Sequence, residues 1–371
     1  MSTGTSRGRR PRRTRRGVVL AVAATVATAL LLDRGLTVWS HRALPFLEDR
    51  EFADRYEGYR PRAAQARADG KRMVAVVGSS RVEWGVRART VEACVAAGRA
   101  DPPVVHHFGF PGATPLVEWA IVRRMLHHSP PAALVLELNP VFAYDENGVT
   151  FANDQAAAKL SPDERVALDR FGWRNLTTAE YVEECRPRWY TLRDKLIARV
   201  RPRFSYAPPQ PPAPSPAAAG WTEHNAWGDP TFVVPSDKFS PRMFEAAEAA
   251  YRPRLEALRF HPVAWAALDD VVAACRDEGI PVALLLMPEA DRFRAWYTPQ
   301  THAAIDALTT HLRGRGAAAC FDTRSWFPDL HCYCDSHHLL TEYGEAFSRR
   351  FAAECLAPWL AGLPVGRATG G

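Results

Sequence analysis

The chain has 371 residues, 47% of them hydrophobic and 24% charged, a composition that excludes wholesale disorder. Its net charge of +6 sits at the start, where Arg7, Arg9, Arg10, Arg12, Arg13, Arg15 and Arg16 stand without an acidic residue. Taking seven from +6 leaves residues 17–371 at −1, so the body offers no broad basic surface and nucleic acid is not an expected partner.

Residues 1–16 read as a basic cytoplasmic tail. They precede 17–32, GVVLAVAATVATALLL, which carries no charge. A comfortable membrane span needs roughly 20 apolar residues. Asp33 and Arg34 can snorkel and 35–39 extend the run, so 17–39 is expected to be one transmembrane helix acting as an anchor or signal segment. The positive-inside rule then puts the N-terminus in the cytoplasm and the main domain outside the cell membrane. Two alternatives stay open: a cleavage site at Ala27-Thr28-Ala29, and a twin-arginine export signal around Arg15-Arg16. Each also exports the body.

Residues 40–72 form a charged juxtamembrane helical segment. From there strands and helices alternate. The short apolar run 73–77 (MVAVV) reads as a buried parallel strand, and 104–108, 133–138, 280–287 and 317–322 read as further strands of the same parallel sheet. Helices fall between them at 86–97, 114–128, 262–278, 299–312 and 340–360, and Thr114-Pro115 gives an N-cap with proline at N1. The region 140–260 breaks the alternation and contains the proline-rich stretch 207–214, so it is taken as an insertion or lid in an α/β domain spanning 73–361. Residues 362–371 read as a flexible tail.

In an exported body, Cys94, Cys185, Cys275, Cys320, Cys332, Cys334 and Cys355 allow up to three disulfides, with one bridge expected among Cys320, Cys332 and Cys334. The run His331-Cys332-Tyr333-Cys334-Asp335-Ser336-His337-His338 also has metal-ligand chemistry, but Cys-x-Cys is tighter than common zinc spacing, and no metal is assigned. The histidine pairs 106–107 and 127–128 read as core or surface residues. Trp221, Trp227, Trp296 and Trp326 could stack on sugars or simply pack.

Active sites of parallel α/β sheets lie at the carboxyl ends of the strands. Three polar or glycine-rich features fall there: Gly78-Ser79-Ser80-Arg81, Pro111-Gly112-Ala113-Thr114, and Asp335-Ser336-His337-His338 ahead of the last helix. Their order and spacing resemble the SGNH/GDSL hydrolase superfamily, whose four blocks include Gly-Asp-Ser, an oxyanion-hole glycine, Gly-x-Asn-Asp and Asp-x-x-His. The resemblance implies a flavodoxin-like three-layer sandwich with about five parallel strands. It implies Ser80 as nucleophile, with Ser79 in the aspartate position, His338 as base and Asp335 as its orienter. Ser80, Gly112 and Asn139 of Leu138-Asn139-Pro140 would form the oxyanion hole.

A serine hydroxyl needs an adjacent base, itself oriented by a third group, which is what such a trio supplies. His337 competes with His338 for the base. Arg81 could hold an anionic substrate or pair with a carboxylate. The short anchor and Gly-Ser-Ser variant resemble membrane-tethered proteins of alginate O-acetylation and teichoic-acid D-alanylation. That likeness implies an acyl-ester hydrolase or O-acyltransferase acting on an acylated cell-surface glycan or similar ester. It needs no cofactor, and a membrane-bound acyltransferase would be a partner. A secreted lipase or esterase, and a catalytically silent scaffold or carbohydrate-binding protein of the same fold, are the alternatives.

Overall fold

The short apolar runs give five strands in the computed structural model, which describes residues 14–43, 50–143, 164, 167–172, 224–231 and 240–363. The basic tail up to residue 13, the stretch 207–214, Cys185, Trp221 and the tail from 364 lie outside the described residues. Two compact units divide the chain. Residues 1–47 with 176–210 make one, and 48–175 with 211–371 the other.

In the first unit, α1 (Thr14–Ala43) is a single helix of 30 residues that runs through Asp33 and Arg34. Its stretch Gly17–Gly35 is long and apolar enough to cross a membrane. Val18, Leu20 and Leu31 are exposed on it, and the Thr25 hydroxyl donates back to the Ala21 carbonyl at 2.9 Å, hiding its polarity within the helix.

In the second unit the strands are β1 (Met73–Ser79), β2 (Val104–Phe110), β3 (Ala133–Glu137), β4 (Val282–Leu286) and β5 (Ala317–Asp322). All neighbours pair in parallel, in the order β2-β1-β3-β4-β5. Strand side chains alternate between faces, and the core divides accordingly. Ala75, Val77, Leu134, Leu136, Leu284 and Leu286 join one cluster, while Val74, Val76, Ala133, Val135, Ala283 and Leu285 join the other.

Helices cover both faces. On the first lie α2 (Arg50–Ala68), α5 (Pro115–His128), α7 (Pro262–Asp277) and α8 (Pro299–Arg315). On the second lie α3 (Ser80–Gly85), α4 (Ala88–Ala96), α9 (Thr341–Phe351) and α10 (Ala357–Gly362). Between α5 and α7 in the chain, α6 (Pro241–Glu256) closes the inserted region, capped by the Ser240 hydroxyl. A π turn at Ala352–Leu356 interrupts the expected single last helix just ahead of Pro358, which cannot donate an amide to the preceding turn.

Two findings redraw the expected boundaries. The segment read as juxtamembrane belongs to the α/β body: α2 presents Phe52, Tyr56, Tyr59, Ala63 and Ala66 at three- and four-residue spacing, all buried, and the Tyr59 hydroxyl donates to the Ser129 carbonyl at 2.8 Å. Within 140–260, residues 224–231 cover the open edge of β2, where the His107 amide donates to the Trp227 carbonyl at 3.0 Å. Asp229 from the same segment caps α4 by accepting the Ala88 and Arg89 amides.

The six described cysteines are free thiols, contrary to the expected bridge. Cys320 belongs to β5, whereas Cys332 and Cys334 sit in the loop ahead of α9 and are buried there as small apolar groups. Burial pushes the Cys332 thiol up to about 11.

Candidate active site

The end of β1 is shaped by two paired glycines. Gly78 lies beside Gly109 in the register. A Cβ on Gly109 would come within 2.4 Å of the Glu83 amide nitrogen, and one on Gly78 within 2.5 Å of both Val82 Cγ2 and Glu137 Oε2. Only glycine lets α3 lie this close to the sheet. Ser79 stays extended and accepts the Arg81 amide with its hydroxyl, so the chain turns into α3 with Ser80 as its first residue.

Ser80 Oγ donates to His338 Nε2 at 2.8 Å, and His338 Nδ1 donates to Asp335 Oδ2 at 2.7 Å. The second Asp335 oxygen accepts the amides of Ser336, His337 and His338. The loop is closed on itself by the Cys334 amide on the His338 carbonyl, at 3.0 Å, and by the Leu340 amide on the Cys332 carbonyl, also at 3.0 Å. Burial alone would raise the Asp335 pKa, but the His337 and His338 imidazoles and these hydrogen bonds outweigh it and hold the carboxyl well below its usual range. The pair of bonds on His338 selects the tautomer with Nδ1–H toward Asp335, leaving Nε2 to accept the serine proton.

His337, the competitor for the base, is not placed to serve. It is buried, its Nδ1 lies 3.2 Å from Ser336 Oγ, and its ring packs on Tyr251 and Phe293. Burial holds its pKa well below 6.5, so the ring stays neutral. Ser80, Arg81, Asn139, Val141, Tyr251, Phe293 and His337 line a small depression. The Asn139 amide donates to Ser79 Oγ at 3.2 Å through one N–H and has a second to offer a ligand oxygen. Gly112, at φ +69°, lies at the same sheet edge two residues beyond Phe110, which pairs with Ser79. It does not line the depression.

Of the two readings of Arg81, the structure shows the pairing with a carboxylate, at the wall of the depression. Arg81 is 2% exposed, its Nη2 lies 3.0 Å from Glu289 Oε1, and the same nitrogen donates to the Met287 and Pro288 carbonyls. Trp227, Trp296 and Trp326 are packing residues: Trp227 lies beneath Arg62 and donates to Glu92, Trp296 packs on Phe293, and Trp326 packs on Phe347. His106 and His107 are fully buried, while His127 and His128 close the last turn of α5.

Three residues here were not singled out from sequence. Trp84 places its ring 5.1 Å from that of His338, and Tyr251 and Phe293 wall the depression. For Trp84 the signal was present, four residues after Ser80 on one helix face. Tyr251 and Phe293 come from elements whose approach no local pattern announces.

Cys334, Asp335 and His338 also lie close enough to hold a metal ion, with their ligand atoms within 4.8 Å of one another. The donor set does not fit one in this arrangement. Both His338 nitrogens are engaged, and burial raises the Cys334 pKa so that it remains a thiol. Fold and site together define a parallel α/β protein carrying a Ser–His–Asp constellation at the carboxyl edge of its sheet. No family model matches the sequence, and no curated protein matches it.

Proposed function

We propose that the chain is a serine-dependent acyl-ester hydrolase or O-acyltransferase of the SGNH type with a flavodoxin-like fold. The observation that carries this reading is the unbroken relay from Ser80 Oγ through His338 to Asp335, with spacings of 2.8 and 2.7 Å. Ser80 Oγ attacks the ester carbonyl and its proton passes to His338 Nε2. The Asp335 carboxylate stabilises the imidazolium. The oxyanion is met by the Ser80 amide and the free N–H of Asn139, with Gly112 the third donor by resemblance. His338 then returns the proton to the leaving alkoxide, and an acyl group remains on Ser80. Water completes hydrolysis; a sugar hydroxyl, deprotonated by the same imidazole, completes transfer.

The N-terminal helix supports an anchor in the cell membrane, and the arginines ahead of it favour the α/β body outside, where an acylated cell-surface glycan or similar ester would be the substrate. A membrane-bound acyltransferase would then supply the acyl group. The test is labelling of the detergent-solubilised full chain with a fluorophosphonate. Ser80→Ala and His338→Ala are expected to abolish labelling of folded protein. Labelling that survives Ser80→Ala, or a folded parent that never labels, overturns the reading.

A further inference from the structure

Two departures from the block pattern meet in space. Where the pattern has Gly-Asp-Ser, the middle residue here is Ser79, without a carboxylate. With Asn139 aligned to the asparagine of Gly-x-Asn-Asp, the residue in the glycine position is Glu137. These two positions touch. β3 pairs directly with β1, with Leu136 beside Val77, so Glu137 at the end of β3 lies against the turn into α3. Its Oε2 accepts the Ser79 amide at 2.6 Å. The space it occupies is the one that Gly78 leaves, where a Cβ would be 2.5 Å from that oxygen.

The surroundings are built to hold this carboxyl in place. Glu137 is fully buried, and Arg81 Nε lies 4.0 Å from its Oε1. Arg81 is itself fixed by Glu289, which accepts the Tyr297 hydroxyl at 2.7 Å. Ser79 Oγ binds both the Arg81 amide and Asn139 Nδ2, each at 3.2 Å, so the residue before the nucleophile, the residue after it and an oxyanion donor share one network. Burial raises the Glu137 pKa, and Arg81 and the Ser79 amide work against that rise.

We propose that Glu137 is a positioning residue: the carboxylate missing from position 79 re-enters the turn from β3, holds the Ser79 amide, and so presents Ser80 to His338. The inference rests on the functional reading above. A glycine at 137 would leave the Ser79 amide without this acceptor.

The test measures the fluorophosphonate labelling rate, and kcat and KM on 4-nitrophenyl acetate, for the full chain in detergent. Glu137→Gln keeps the length and one acceptor oxygen while removing the charge. Labelling and kcat are expected to fall about 10- to 100-fold with KM and melting temperature near the parent's, the cost of a slightly misplaced nucleophile. Adding Ser79→Asp to Glu137→Gln is expected to recover about tenfold, a rescue that a merely structural role would not produce. A parent-like labelling rate for Glu137→Gln, or no recovery in the double variant, overturns the proposal. Should Glu137→Gln not fold, Glu137→Asp, which withdraws the charge by one methylene, decides: slowed labelling supports the proposal and a parent-like rate overturns it. A folded parent that never labels rejects the functional reading itself. Hydrogen exchange then still tests the placement, the Ser79 amide exchanging faster when Glu137 is shortened to aspartate, or at an unchanged rate if the placement is wrong.

Discussion

Asp335 does two things at once. One oxygen gathers three successive amides and shapes the loop, while the other orients His338. Asp335→Asn retains an oxygen for the amides but offers His338 Nδ1 a donor or a neutral acceptor, favouring the wrong tautomer. On the proposed chemistry, kcat is expected to fall about 10⁴-fold with the loop intact, as comparison of ester turnover with the circular dichroism spectrum would show. A fall of only a few-fold would mean that the orienting bond is not used. Glu118 gives a second residue-scale expectation. It is buried in α5, lines a small hollow with Glu137 and Asn139, and is held well above the usual carboxyl range by burial and by Glu137. A raised folded-state pKa means that the folded chain keeps a proton the unfolded chain has lost, so stability drops as pH rises above about 4.5 toward that pKa. Glu118→Gln removes this dependence. Its unfolding free energy from urea titration should gain on the parent's with pH, by up to about 1.4 kcal/mol per unit, whereas parallel pH curves would reject the assignment.

At the scale of elements, the site depends on how closely α3 lies on β1 and β2. The glycine pair 78 and 109 sets that distance, and neither residue has a positive φ. What glycine provides here is the absence of a Cβ rather than backbone freedom. Gly109→Ala places a methyl against the α3 backbone, which cannot give way as a flexible side chain would. The expected result is a loss of about 1–3 kcal/mol in thermal or chemical denaturation, together with slower labelling of Ser80, because the whole helix must lift. An unchanged melting temperature would show that α3 can adjust. Asp229 and α2 illustrate the same dependence: each belongs by sequence to a region outside the alternating pattern, yet each completes an element within it.

For the whole molecule, the two compact units separate an apolar helix from the α/β body that carries the site. On the proposed anchoring, the full chain should remain in carbonate-washed membranes and a chain beginning at residue 48 should be released. Release of both would leave α1 as a signal segment and no anchor.

The alternation of apolar runs and helical spacing was legible because strands buried on both faces must be continuously apolar, whereas surface helices repeat at their own period. Ser80, His338 and Asp335 were legible because their order and spacing along the chain resemble short blocks of a known superfamily, which a linear sequence preserves. The pairing of Arg81 with Glu289, the entry of Glu137 beneath Ser79, and the walls supplied by Tyr251 and Phe293 were not. Each joins residues far apart in sequence through a single side-chain contact, and local periodicity carries no record of it. The cysteines show the reverse: seven thiols in a chain with an export-like start predict bridges from composition, while the fold buries or separates the described ones. The chain by itself determined its strands, its apolar helix and the order of its reactive residues. Tertiary structure alone decided which charges neutralise one another and which side chains face the serine, because both depend on distances that exist only once the sheet is assembled.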